Sequence, residues 1–199
     1  MQFARPIVET GVNAFLAAEK GVQELPWTES WGKTTVTLEP VGVAGLITAW
    51  NANALFFCLK LASAVGAGCT VVIKPSELSS LQTQVMIECV IAAKLPKGVC
   101  NVVIGRGDVV GAELVRNPDV DKISFTGSVA VGEGIMREGA ATMKRVTLEL
   151  GGKSPTILLD DAALDQAIPA ALFMAFLNSG QASQGRLQRR DRPWRRGWR

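Results

Sequence analysis

The sequence predicts an α/β protein: a Rossmann-like open parallel sheet with helices on both faces, preceded by an extended arm. Short apolar runs rich in β-branched residues alternate with helical patterns along most of the 199 residues. These runs lack the polar alternation of half-exposed strands, so both of their faces must be covered. Several of them run directly into glycine or polar turns, as strands do at the ligand-binding edge of a parallel sheet.

The first 39 residues do not follow this α/β pattern. Residues 1–22 are predicted to be an N-terminal helical segment, in which Asn13–Lys20 has the clearest helical spacing. Residues 23–39 combine proline, glycine and alternating polar residues, which predicts an extended arm or hairpin. Two exposed tryptophans on it, Trp27 and Trp31, favour contact with a second subunit, since aromatic residues are enriched at interfaces. Packing on the chain's own body is the alternative.

From residue 40 onward, strands and helices are predicted in turn. The strands are Val41–Thr48, Cys69–Ile73, Cys100–Ile104, Lys122–Thr126, Arg145–Leu150 and Thr156–Leu159. The helices are Ala54–Val65, Leu81–Ala93, Gly111–Arg116, Ala130–Ala140 and Leu164–Leu177. The first of these helices is apolar nearly all round, as a helix packed on both sides would be. The second is predicted to bury one face, made of Val85, Met86, Cys89, Val90 and Ala93.

Composition excludes several kinds of site. The chain has no histidine and no tyrosine, which rules out Ser-His-Asp triads, Cys-His pairs, histidine-ligated metals and Tyr-Lys relays; no metal site is predicted. Its four cysteines lie in apolar runs without a C-x-x-C pair, which favours buried, reduced thiols and a cytoplasmic location. Lys60 and two glycines interrupt the most apolar stretch, Ala54–Ile73, so no membrane span is predicted. The first residues lack a secretory signal pattern.

The last residues differ abruptly in composition. From Arg186 to the end there are seven arginines and one acid, whereas the rest of the chain holds 14 basic and 17 acidic residues. Residues 184–199 are predicted to be a disordered basic tail. Nucleic-acid binding is one interpretation of such a tail. We favour a shift of reading frame, because GC-rich coding sequence read out of frame yields Arg, Trp, Gly and Pro, and we predict no nucleic-acid partner.

One motif follows the second predicted strand and is suited to a nucleotide ribose. Ile73-Lys74-Pro75-Ser76-Glu77 places a lysine and a glutamate three residues apart at the carboxyl edge of the sheet. Such a pair can grip ribose hydroxyls. The carboxylate accepts a hydrogen bond from a 2′-hydroxyl and repels a 2′-phosphate, which favours NAD over NADP. A solvated loop with an ordinary ion pair is the alternative.

Three further motifs follow later strands and the last helix. Phe125–Gly132 runs from a strand through a glycine turn into a helix, whose N-terminus favours a pyrophosphate; a plain tight turn is the alternative. Glu149 precedes a Gly-Gly pair at a strand end, where a carboxylate facing a cleft can serve as a general base; a surface acid is the alternative. Asn178–Ser183 closes the last helix.

In this order, and together with Thr48-Ala49-Trp50-Asn51, the motifs resemble the NAD(P)-dependent aldehyde dehydrogenase superfamily. The similarity runs from about Pro40 to Ser183, and Leu-Glu-Leu-Gly-Gly-Lys-Ser-Pro at 148–155 is its most diagnostic part. The resemblance implies that an aldehyde is oxidised to a carboxylic acid through a cysteine thioester, with hydride transfer to NAD. It also implies that 40–150 is the NAD-binding domain and that 151–183 begins an incomplete catalytic domain.

The resemblance assigns roles residue by residue. Asn51 stabilises the oxyanion, Glu149 activates the hydrolytic water, and Ser183 stands at the nucleophile position. The cofactor-binding residues are Trp50, Lys74, Ser76, Glu77, Gly127, Ser128, Gly132, Leu150 and Gly151.

The chain departs from the family pattern at its most reactive position. Ser183 stands where the family has its nucleophilic cysteine, and a hydroxyl is far less acidic than a thiol. A serine nucleophile needs a neighbouring base, and there is no histidine to supply one. The sequence thus predicts an inactive fragment; the alternative is an NAD-binding module that associates with intact subunits through the 23–39 arm. Ala49 and Asn53 replace frequent prolines, so the turn around Asn51 is expected to differ.

Overall fold

The structure is a computed structural model that describes residues 4–152 and 154–182. The chain separates into two compact units after Leu150. The first contains three elements before the main sheet begins, and it continues through five strands and four helices. In chain order they are α1 Ala4–Glu24, β1 Thr28–Trp31, β2 Thr34–Thr37, β3 Val43–Ile47, α2 Asn53–Gly66, β4 Thr70–Lys74, α3 Ser80–Ala92, β5 Cys100–Val102, α4 Ala112–Arg116, β6 Lys122–Gly127, α5 Val129–Gly139 and β7 Arg145–Leu150.

The main sheet has five parallel strands in the order β5-β4-β3-β6-β7. The chain builds outward from β3 to β5 and then crosses back, so that β6 pairs with the other side of β3. This confirms the predicted open parallel sheet, with its topological switch point between β3 and β6. Ile47 of β3 lies opposite Lys74 of β4 and Phe125 of β6, so the carboxyl ends of these strands form one edge.

Each face of the sheet has its own apolar core. One core joins Leu46 and Ile73 to Phe57 and Leu61 of α2, with α3 packed against it. The other core lies on the opposite face and contains, among others, Ile47, Leu114, Val115, Ile123, Phe125 and Ile135. Alternate strand residues point to opposite faces, so the predicted cover of helices on both faces is confirmed: α2 and α3 on one, α4 and α5 on the other.

The N-terminal helix is longer than the predicted Asn13–Lys20. It covers Ala4–Glu24 and packs along α2, with Gly11 close against Cys58. Glycines inside this segment weaken its intrinsic helical preference, but packing on a neighbouring helix outweighs propensity. The sequence pattern therefore showed only the middle of the helix.

The predicted arm is an antiparallel hairpin of β1 and β2, separate from the main sheet. Its two-residue turn uses Gly32 at φ +64°, the backbone conformation that glycine provides in tight hairpins. Trp31 is 68% exposed. The predicted exposure of Trp27 is wrong, because its side chain is partly buried and its indole Nε1 donates to the carbonyl of Val22 at 2.9 Å.

Three other predictions are wrong. Thr156–Leu159 is not a strand, since no strand in the described ranges pairs with it. Helix α3 buries Thr83 and packs Met86 and Val90 on the core, whereas Val85 is 57% exposed; apolar residues on two sides of the helix hid its buried face. Of the four thiols, only those of Cys58 and Cys69 are buried, and Cys89 is exposed.

The second unit contains α6, Leu164–Phe176, followed by the short turn Leu177–Gly180.

Candidate functional site

The loop after β3 rests on a buried chain of hydrogen bonds. Thr48 Oγ1 donates to Asn53 Oδ1 at 2.8 Å, and Asn53 Nδ2 donates to Thr83 Oγ1 at 3.1 Å. The Thr83 hydroxyl donates to the carbonyl of Ser79 at 3.1 Å. Because all four residues are buried, this chain links the tip of β3 to α2 and α3. Residues 49–52 are therefore held on a fixed base.

The two predicted site residues of this loop lie at the carboxyl edge of the sheet. Trp50 is 46% exposed, and Asn51 is partly buried. Asn53, which stands at a frequent proline position of the family, supplies the side-chain amide that joins two threonines. The turn around Asn51 is thus stabilised by hydrogen bonds at residue 53 rather than by a proline ring.

Lys74 and Glu77 form an ion pair where β4 ends. Lys74 Nζ lies 2.8 Å from Glu77 Oε2, with side-chain exposures of 3% for the lysine and 46% for the glutamate. The pKa of Glu77 lies below its ordinary value, mainly because Lys74 donates to the carboxylate, with a smaller contribution from the N–H of Gly107. Ser76 accepts from the N–H of Leu78 at 3.3 Å and caps the short turn that carries Glu77.

The turn between β6 and α5 brings Gly127 and Ser128 to the same edge. Ser128 is the N-cap of α5, and its Oγ accepts from the N–H of Val131 at 3.4 Å. Gly132 is buried, and a Cβ there would lie 2.8 Å from Leu150 Cδ2. Glycine at 132 therefore allows the first turn of α5 to approach the end of β7 closely.

Glu149 lies on a polar face of the sheet with a lysine that the sequence analysis did not select. Its register partner across the β6–β7 pair is Thr126, whose buried Oγ1 has no hydrogen-bond partner. Lys60 of α2 donates to Ser124 Oγ at 2.8 Å. Burial lowers the pKa of Lys60 from its ordinary 10.5 to about 8; Glu149 raises this pKa and Lys122 lowers it further.

A sequence signal for Lys60 did exist, because it is the lone charge in the apolar helix pattern from Ala54 to Val65. By itself this lysine argues only against a membrane span. A single lysine in an otherwise apolar helix has to reach a polar environment or give up its charge. The polar face of β6 and β7 is that environment.

The remaining predicted residues belong to the second unit or lie outside the described residues. Gly151 is exposed and belongs to the second unit. Asn178 and Ser179 of the same unit have positive φ values, 52° and 58°. Ser183, the predicted nucleophile position, lies outside the described residues, as do 184–199 of the predicted basic tail. Among residues 4–152 and 154–182, no helix is long and apolar enough to cross a membrane.

Comparisons with known proteins agree with the motif assignment. The model of the aldehyde dehydrogenase family matches residues 8–185. The 3-succinoylsemialdehyde-pyridine dehydrogenase of a Pseudomonas species is 42% identical over 183 residues, which cover 92% of this chain and 38% of that protein. The chain therefore spans well under half the length of this curated relative.

Solved structures of the same family are similar in fold. A mutant of aldehyde dehydrogenase C from Pseudomonas syringae, in complex with NAD+ and octanal, superposes with a TM-score of 0.84 at 43% identity, covering 89% of this chain and 36% of that one. An NADP-dependent enzyme of E. coli has a TM-score of 0.80 at 38% identity, covering 88% of this chain and 37% of that one. With a family match over most of its length, the chain belongs to the aldehyde dehydrogenase family.

Proposed function

We propose that this chain is the NAD-binding part of an aldehyde dehydrogenase, an oxidoreductase that converts an aldehyde to a carboxylic acid. The observation that carries the proposal is the shared edge of the parallel sheet. Lys74 and Glu77 lie where β4 ends, Gly127 where β6 ends and Glu149 where β7 ends, and these strands are joined through β3 in one sheet. Ligands of open parallel sheets bind at this edge, beside the switch point. Bound NAD would accept the hydride of the reaction.

The residues present fit a dinucleotide. The ion pair of Lys74 and Glu77 offers a donor and an acceptor for the two ribose hydroxyls, with the carboxylate partly exposed. The N-terminus of α5, capped by Ser128, favours the negative charge of a pyrophosphate. The buried, unpartnered hydroxyl of Thr126 supplies a further polar atom at the end of β6. Trp50, Ser76, Gly132, Leu150 and Gly151 complete the proposed cofactor-binding set.

Three side chains would act on the aldehyde and on water. Asn51 stabilises the oxyanion through its amide, and Glu149 takes the proton of the hydrolytic water. Lys60 holds a positive charge near Glu149 below pH 8 and can give up its proton above it. Ser183 occupies the nucleophile position, so we expect oxidation by this chain to be slower by several orders of magnitude than with cysteine there.

A second candidate is a catalytically silent NAD-binding module that joins intact subunits through residues 23–39. The hairpin favours it, because both of its strands lie outside the main sheet and Trp31 is 68% exposed. Mixing with an intact family member, followed by light scattering, tests the module: unchanged assembly of that member contradicts it.

We also propose a reducing location such as the cytoplasm, because all four cysteines are free thiols.

Calorimetric titration of the 199-residue chain with NAD tests the main proposal. We expect saturable binding that Glu77→Gln weakens about threefold to tenfold, since a charged hydrogen bond to the ribose becomes a neutral one. Glu138→Gln removes a carboxylate of similar exposure, which is paired with Arg116, and serves as the control, with unchanged affinity. No heat of binding, or equal losses in both variants, would contradict the proposed cofactor site.

A further inference from the structure

The loop that follows β5 lies against the turn that carries Glu77. β5 pairs with β4, so the segments after these two strands leave the same edge side by side. A Cβ placed on Gly107 would stand 3.9 Å from Lys74 Nζ, and the backbone N–H of Gly107 contributes weakly to the lowered pKa of Glu77. The loop after β5 and the turn after β4 therefore border the same side of the proposed adenosine-ribose position.

Arg106 precedes Gly107 in the loop after β5 and carries a guanidinium. Its Nε and Nη2 donate to the two carboxylate oxygens of Asp108, at 2.9 and 2.5 Å. Both side chains are largely exposed, 75% and 61%. An exposed pair of this kind contributes little to folding, so Arg106 can exchange Asp108 for another oxyanion at small cost. Asp108 and, more weakly, Glu77 raise the pKa of Arg106, as expected if Glu77 lies within electrostatic range.

The ribose position is therefore bordered by opposing charges. Glu77 disfavours a 2′-phosphate, whereas an arginine nearby can bind one through two parallel N–H groups. In dinucleotide-binding folds, an acidic residue selects the 2′-hydroxyl and an arginine accommodates the 2′-phosphate. This chain has one residue of each kind on adjacent loops.

We propose that Arg106 is a second determinant of dinucleotide choice, which turns from Asp108 to the 2′-phosphate of NADP and offsets the repulsion by Glu77. The proposal rests on the proposed function, because it assigns a role within the same cofactor site. NAD binds more tightly than NADP, but because of Arg106 the Kd for NADP exceeds that for NAD by only about tenfold. Without the arginine, NADP is excluded more strongly and NAD is unaffected.

Calorimetric titration of the 199-residue chain tests this with four probes: NAD, NADP, ADP and adenosine 2′,5′-bisphosphate. Arg106→Gln should raise the Kd for NADP and for the bisphosphate about tenfold or more, and should change the Kd for NAD and ADP less than about twofold. Arg116→Gln is the matched control. It breaks another exposed two-bond arginine–carboxylate pair, with Glu138, and should change none of the four constants.

Asp108→Asn provides the opposite test, because it frees Arg106 without removing it. We expect tighter NADP binding and unchanged NAD binding. Equal effects of Arg106→Gln on NAD and NADP, or none on either, would overturn the role of Arg106 and leave the proposed cofactor site standing. A wild-type chain that binds neither dinucleotide would overturn both proposals.

Discussion

Replacement of Lys60 by methionine should change how the stability of the protein depends on pH. The Lys60 pKa is about 8 in the folded chain and 10.5 as its ordinary value. Below pH 8 the Lys60 amine is protonated in both the folded and the unfolded chain. The folded chain is then destabilised by the desolvation of a partly buried ammonium. Between the two pKa values the unfolded state binds more protons than the folded state, so the free energy of unfolding rises with pH.

The size of this rise follows from the two pKa values. For a single group, they give an increase of about 2 kcal/mol in the free energy of unfolding between pH 7 and pH 9.5. Residual solvent contact of a partly buried lysine reduces the figure, and we expect about 1–2 kcal/mol. In Lys60→Met nothing titrates at this position. The difference in stability between wild type and Lys60→Met should therefore move in favour of wild type by that amount.

Urea denaturation followed by far-ultraviolet circular dichroism at half-unit pH steps measures this difference. Taking wild type minus variant cancels the cysteines, two of which, Cys58 and Cys100, have a pKa raised by burial. Lys20→Met is the control, because Lys20 is 72% exposed, pairs with Glu24 and is not among the groups that shift the Lys60 pKa. A constant difference from pH 7 to 9.5 in Lys60→Met would show that Lys60 titrates normally.

Three other predictions, each tested by urea denaturation, concern the packing behind the same edge. Asn53→Ala leaves two buried threonine hydroxyls without their amide and should lower the free energy of unfolding by about 2–3 kcal/mol; a loss below about 0.5 kcal/mol would contradict the buried chain. Gly132→Ala places a Cβ 2.8 Å from a leucine side chain and should cost about 1–3 kcal/mol. Gly134→Ala in the same helix meets nothing within 4 Å and should stabilise by about 0.5–1 kcal/mol; the reverse order would contradict the close approach at 132. Thr126→Val removes a buried, unpartnered hydroxyl and should raise stability by about 1 kcal/mol; a loss of stability would contradict the absence of a partner.

The strands of the main sheet could be predicted from sequence to within about two residues, because buried parallel strands are continuous β-branched runs between turns. The strand order could not. Nothing local tells that Ala44 of β3 lies opposite Lys122 of β6, which is far along the chain. The Thr156–Leu159 segment also shows that local sequence does not determine pairing. Its residues are suited to a strand, but a strand also needs a neighbouring strand to pair with.

The candidate site divides in the same way. Lys74, Glu77, Gly127 and Glu149 could be selected because each stands in a short motif at a strand end. Lys60 stands out in the sequence only as the lone charge of an apolar helix, because the side chains that give it a role, Ser124 and Glu149, approach it only in the folded sheet. Local motifs therefore identify the residues that begin or end elements. Side chains that reach the site from the middle of a helix need the tertiary structure.

The two lysines at this edge differ in a way that their neighbours explain. Lys74 is almost fully buried, and a carboxylate lies 2.8 Å from its ammonium. Lys60 is partly buried, but its hydrogen bond at 2.8 Å goes to a neutral hydroxyl. A carboxylate compensates a buried positive charge, whereas a hydroxyl does so only weakly. In the proposed cofactor site, Lys74 is therefore suited to hold the Glu77 carboxylate in place beside a ribose. Lys60, with its pKa near 8, is suited to exchange a proton beside Glu149.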